Sequence, residues 1–252
     1  MEISEHITAL TEQGPLLAAA AAAAGPDAPV PSCPDWLVRD LVRHQGGVHR
    51  WAASIVGTPR TEPWDVDLDD VVGTWPADDE LVAWFSDGCR ELVGVLEQAD
   101  PGLYCWTFLP APSPLAMWAR RQAHETAVHR VDAELAAGTP VTPFQAPFAA
   151  DGIDELLSCS ITRQHGRLRS DDPKLLRVRC AEGAGEWLVS IGPDGARTTA
   201  GAEGPDGDCL VAGTADDLYL ALWRRRAPDV LEVEGDGGVL DLFLDKVQVR
   251  WS

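Results

Sequence analysis

L-A-M-W-A-R-R-Q-A-H-E-T-A-V-H-R-V-D-A-E-L-A-A, Leu115 to Ala137, is the stretch on which the reading of this chain turns. It leaves a proline-rich loop (Pro101, Pro110, Pro112, Pro114), ends at Gly138 and reads as one long helix. At about 100° per residue, Glu125 and His129 lie one turn apart and only about 40° from each other around the axis. A carboxylate and an imidazole at that spacing can grip one divalent metal. His124 suggests the His-Glu-x-x-His helix of zinc proteases, but that motif needs histidines four apart. His124 and His129 are five apart, about 140° around the axis, so the protease reading fails. A Glu-x-x-x-His half-site remains, and it needs a third ligand from elsewhere.

Three further helix-length segments precede it. The first spans Ile3 to Ala24, with Gly14-Pro15 as a point of disturbance. The second opens at Ser32-Cys33-Pro34-Asp35, a serine with an acid three residues on, and continues through Trp36 and Leu41 to Val56. The third covers Asp79 to Gln98, with Leu81, Trp84, Phe85, Leu92, Val95 and Leu96 at helical spacing. Four amphipathic helices of similar length imply a four-helix bundle, whose metal sites commonly lie between facing helices. The second helix offers His44 and His49, which point about 140° apart. Geometry alone does not choose between them as the third ligand.

Composition changes after residue 139. Gly138 to Pro147 reads as a linker between a bundle over residues 1–139 and a small α+β domain over residues 148–252. In the second part, a short helix (Ile153 to His165) precedes strands at Leu175–Cys180, Trp187–Ile191 and Cys209–Gly213. A helix at Ala215–Arg226 and a strand at Val230–Val233 follow.

The chain has 252 residues, 45% of them apolar, and a formal net charge of −20. That charge repels phosphates and anionic lipid, which argues against nucleic acid or a membrane as partner. Much of the acidity lies in Asp65, Asp67, Asp69, Asp70, Asp78, Asp79 and Glu80, read as a solvated loop and helix start. The apolar run Leu16 to Ala24 follows acidic rather than basic residues, so it reads as an alanine-rich helix and not an export signal. A cytoplasmic location and reduced, buried thiols are therefore expected of the six scattered cysteines.

Three blocks together resemble the mycothiol-dependent maleylpyruvate isomerase family of the DinB-like metal-dependent superfamily. They are S-C-P-D-W-L-V-R-D-L-V-R-H-Q-G-G-V-H from Ser32, H-E-T-A-V-H-R-V-D from His124, and V-A-G-T-A-D-D-L-Y-L-A-L-W-R-R-R from Val211. The resemblance spans both halves and implies a DinB-like four-helix bundle followed by the α+β domain. It implies His44, eight residues after Trp36, with Glu125 and His129 as ligands of a divalent metal, zinc first among candidates. His6, His49, His124 and His165 are then packed or solvated histidines.

Mycothiol, the low-molecular-weight thiol of actinobacteria, is the implied cofactor or co-substrate, and a small electrophile the implied substrate. Its thiol would add to a cis-enone acid, allow rotation and leave the trans isomer, or stay attached in an S-transferase reaction. The resemblance also implies an arginine after the second-domain helix, Arg225 by position. Arg224 replaces the glycine often found before it, so Arg224, Arg225 and Arg226 all remain in question. Trp51, seven residues after His44, and Trp118, seven before Glu125, are expected as cavity walls for the cofactor. The competing readings are a thiol-free metal-dependent hydrolase or lyase, and a non-catalytic metal-binding stress protein.

Overall fold

The structure, a computed structural model, describes residues 1–64, 66–161, 166–201 and 204–247. Asp65 of the acidic run and His165 lie outside the described residues. The chain forms two compact units, residues 1–142 and 143–252.

The first unit is built on four long helices: α1 (Ile3–Ala24), α2 (Val38–Gly57), α4 (Leu81–Gln98) and α5 (Pro114–Ala136), with a one-turn helix α3 (Leu68–Val72) between α2 and α4. Helix α1 runs through Gly14-Pro15 without a break. A Cβ on Gly14 would stand 2.5 Å from Cys89 Sγ, so the glycine lets α1 approach α4 closely there. Ser113 caps α5, its hydroxyl accepting from the Ala116 amide at 3.1 Å, and Pro114 occupies the first turn, where no amide hydrogen is needed.

Helix α5 departs from the expected amphipathic pattern. Every residue from Met117 to Glu134 except Arg120 is buried, charged ones included. It is a central helix with no solvated face, so its polar side chains must find partners inside the fold. The fully buried Arg130 shows how: its guanidinium donates to Gln13 Oε1 (3.0 Å), Glu134 Oε2 (2.6 Å) and the Thr142 carbonyl (2.6 Å). The same Glu134 accepts from the Thr142 amide and hydroxyl, tying down the chain as it leaves the bundle.

Helix α2 starts six residues later than Ser32 suggests. Residues 30–36 form tight turns, with Cys33 N donating to Val30 O and Trp36 N to Cys33 O. The residue that closes the helix start is Asp40, which accepts from the Leu37 amide at 2.9 Å. The Ser32 hydroxyl is instead bonded to Asp132 of α5. A long-range partner has taken the side chain that local spacing assigns to a cap.

In the second unit, α6 (Ala146–Asp154) continues as a π-helical turn over Glu155–Ser160. It begins within the stretch read as linker, with Pro147 in its first turn. The sheet has the order β3-β2-β1-β4-β5, made of β1 (Lys174–Cys180), β2 (Glu186–Gly192), β3 (Gly195–Ala200), β4 (Cys209–Gly213) and β5 (Glu232–Gly235). Only β1 and β4 run parallel among the paired strands; the other pairs are antiparallel. Strand β3 and the helix after β5 escaped the sequence reading because Gly195–Ala200 is polar and small, and Asp236–Gly238 resembles a turn. Helix α7 (Ala215–Leu222) follows β4, capped by Thr214, and α8 (Gly237–Lys246) follows β5. Among the described residues no helix is long and apolar enough to cross a membrane. All six cysteines are free thiols, five of them buried.

The α2–α4 interface yields a stability test. A Cβ on Gly46 would fall 2.2 Å from the Trp84 ring, which Arg50 covers on its face at 3.8 Å. Gly46→Leu is expected to destabilise the chain by about 1–3 kcal/mol, the usual overpacking range, despite leucine's better helix propensity. Urea unfolding measures it, and an unchanged midpoint would show that the two helices separate freely there.

Candidate metal centre

Helices α2 and α5 bring together the residues that stand 81 or more positions apart in sequence. One ligand atom from each of His44, Glu125 and His129 lies within 4.8 Å of the others. His44 Nε2 is 3.6 Å from Glu125 Oε1, and the His44 and His129 ring centroids are 5.3 Å apart, edge to face. Helical periodicity had already placed Glu125 and His129 on one face of α5. The structure adds His44, and it sends His49 elsewhere.

Burial of Glu125 by itself would raise its pKa. Against that, the neighbouring His44 imidazole, with Arg121 and His129, holds it down to about 2. The carboxylate is therefore ionised inside the protein, one oxygen facing His44 and the other 3.5 Å from Arg121 Nε, one turn earlier on α5. Two imidazoles and an ionised carboxylate are a donor set that zinc and several other divalent metals accept.

The surroundings orient these donors. His129 Nδ1 lies 2.8 Å from Asp132 Oδ2, three residues further along α5, and both side chains are fully buried. A carboxylate at Nδ1 favours the tautomer with its proton on that nitrogen, which makes Nε2 the ligating atom of the ring. Asp132 is in turn bonded by Ser32. Such carboxylate–imidazole pairs hold metal-binding histidines in one tautomer and one orientation. Trp36 packs its ring 4.9 Å from His44 and 6.0 Å from His129, covering both imidazoles. Asp132, Ser32 and Trp36 carry no ligand spacing of their own. The Asp at the end of H-R-V-D was the one available hint, since i to i+3 places it beside His129.

The other predicted residues have definite places. Trp51 and Trp118 pack against each other with centroids 5.1 Å apart, joined by Trp106 and Phe108 in an aromatic cluster. The indole N–H of Trp51 donates to the Trp64 carbonyl, and that of Trp118 to the Trp106 carbonyl. His124 faces His6 of α1, on another side of α5. His49 joins Gln45 and Thr126 in a buried network, its Nε2 2.8 Å from Thr126 Oγ1, and packs on Phe85.

In the second unit, Arg226 pairs with Asp216 and Asp217, and Arg224, in the left-handed region (φ 64°), donates to the Leu244 carbonyl. Arg225 is half-buried and donates to the Trp223 carbonyl at 2.8 Å.

Two imidazoles and a carboxylate converge in the interior of a helical bundle, and facing helices are where bundle proteins commonly hold metals and cofactors. Residues 7–134 match the model of the mycothiol maleylpyruvate isomerase N-terminal domain, and residues 147–242 match that of the family's C-terminal domain. The chain belongs to the mycothiol-dependent maleylpyruvate isomerase family. Its fold is that of two crystal structures of the mycothiol-dependent maleylpyruvate isomerase, one of them a histidine-to-alanine mutant. Each matches at 12% identity with a TM-score of 0.64, covering 93% of both chains. No curated protein matches the chain.

His49 supplies a pH test. Burial, the largest influence, pushes its pKa from 6.5 down to about 3. The folded form thus keeps His49 neutral while the unfolded chain takes up a proton below about pH 6.5. Stability from this group is complete above that pH and is lost progressively as pH falls toward about 3. Thermal melts at pH 7.5 and 4.5 should show a smaller acid-induced drop in His49→Gln than in the parent chain. Equal drops would assign the acid sensitivity to other groups.

Proposed function

We propose that this chain is a metal-dependent enzyme that uses mycothiol on a small electrophile, as a cis/trans isomerase of the maleylpyruvate type or as a thiol S-transferase. The convergence of His44, Glu125 and His129 within 4.8 Å carries this reading, in a chain whose family is defined by mycothiol-dependent isomerisation. A divalent cation held there, zinc first, would supply Lewis acidity that turns a coordinated thiol into a nucleophile near neutral pH.

The protein's own groups prepare that chemistry. Asp132 fixes the His129 tautomer, Arg121 holds one Glu125 oxygen so that the other faces His44, and Trp36 shields both imidazoles from water. Four of the chain's six thiols are poor candidates for the nucleophile. Burial pushes Cys89 and Cys180 up to about 11, and Cys105 and Cys209 are raised by the same cause. An imported thiol fits that pattern. We assign Arg225 to recognition of a carboxylate on substrate or cofactor, for which a planar guanidinium suits bidentate binding. Arg225 is chosen by its position after the second-unit helix, where the family resemblance puts the arginine; here it donates to the Trp223 carbonyl.

Three measurements test this. Purified His44→Ala and His129→Ala should each lose most bound metal by elemental analysis while keeping the far-UV circular dichroism of the parent; full occupancy in either would falsify the ligand assignment. Asp132→Asn should weaken metal affinity by about 10–100-fold, the range for lost outer partners of metal ligands. Maleylpyruvate turnover should require both metal and mycothiol, and Arg225→Ala should lower kcat/KM with metal content unchanged. Turnover of any substrate at full rate without the thiol would favour a metal-dependent hydrolase or lyase.

A further inference from the structure

Trp118, Gln122, Glu125 and His129 form one stripe along α5, at intervals of four, three and four residues. Three members of that stripe meet α2: Trp118 touches Trp51, while Glu125 and His129 face His44. Gln122 lies between them, about 4.5 Å along the axis from Glu125 and about 6 Å from Trp118. The helices are antiparallel here, because contacts step from 51 with 118 to 44 with 125. The residue of the α2 stripe at the level of Gln122 is Val48, four after His44 and three before Trp51, and it has no polar side-chain atom.

Gln122 is fully buried, and neither its amide oxygen nor its amide nitrogen has a hydrogen-bond partner among the described residues. A buried amide deprived of all its partners is strongly unfavourable, and folded proteins rarely tolerate one without a reason. Its polar neighbours differ in this respect. Gln45 donates to Thr126, and His49 is bonded through Nε2 to the same hydroxyl. Among the described residues Gln122 alone has both its donor and its acceptor unused, and it stands on the line joining the ligand set to the aromatic cluster.

We infer that Gln122 is a specificity residue of the thiol cofactor: its amide pairs with a neutral group on the bound thiol that both donates and accepts, namely an amide. This rests on the reading of the site as a metal–thiol centre. A sulfur at the His44–Glu125–His129 set would stand about one helical turn from Gln122. A thiol built on cysteine carries its amide a few bonds from sulfur, within that reach. The glutamine is a complement for such a group, since its C=O accepts an N–H and its NH₂ donates to a carbonyl. The aromatic cluster beyond, with Trp51, Trp106 and Phe108 half-buried, would border the rest of the molecule.

The test is calorimetric titration of the zinc-loaded full chain with mycothiol and, separately, with ethanethiol, which has the sulfur and no amide. In Gln122→Leu we expect unchanged metal content and a higher Tm, because an apolar side chain replaces an unpaired amide. We also expect mycothiol to bind roughly tenfold or more weakly, since its amide is left unpaired, with ethanethiol affinity unchanged. Gln122→Met, closer in shape, should reproduce the loss if leucine perturbs packing. Equal mycothiol affinity in parent and variants overturns the assignment while leaving the metal–thiol reading intact. A fall in Tm with parallel loss of both thiols overturns it in favour of a packing role. A parent chain that binds no mycothiol overturns the metal–thiol reading itself, and with it the ligand named here.

Discussion

An ionised carboxylate held away from water at Glu125 is the constraint around which the bundle is organised. Removing such a charge from solvent opposes folding by several kcal/mol unless other groups replace the lost hydration. Here the compensation comes from His44 on α2 and Arg121 on α5, one at each oxygen. The crossing of α2 and α5 is thereby tied to a polar contact as well as to packing. Stripping one partner from a buried charge pair is far more disruptive than replacing the whole group with apolar residues. An acid in the middle of a central helix is thus a poor choice for stability alone, and a suitable one where the charge has a ligand to meet.

The same logic extends outward along α5. Arg130 pairs with Glu134 on its own helix and with Gln13 of α1, and His129 pairs with Asp132 on its own helix, which Ser32 bonds from the turn before α2. Their positions on long helices rather than loops give the site rigidity, because each rotamer is locked by packing and by a further hydrogen bond. Trp36, in the turn before α2, closes over both imidazoles and joins the loop to the site. The result is a donor set prepared before any ligand arrives, which favours tight, geometry-selective binding.

The family fold tolerates deep divergence. At 12% identity the architecture persists across 93% of each chain, as expected when the core asks only for apolar residues at helical or strand spacing. The candidate site asks for more. The candidate donors His44, Glu125 and His129 need particular offsets, and the blocks around Trp36 and His124 concentrate them.

Local periodicity was enough to find α1, α4, α5 and four of the five strands within two residues, because each lies between clear stops. It was also enough to set Glu125 beside His129 and to set His124 apart. It misplaced the start of α2, since Ser32 and Asp35 form a plausible cap on paper while Asp132, a hundred residues away, takes the serine hydroxyl. It did not foresee that α5 would be buried all round, nor that Asp132, Trp36 and Arg121 would surround the ligands. Angles along a helix follow from residue spacing alone, so the chain by itself determines which side chains share a face. Which face meets which, and hence why His44 and not His49 approaches Glu125, was decided only when α2 and α5 crossed, because that choice depends on packing among residues far apart in sequence.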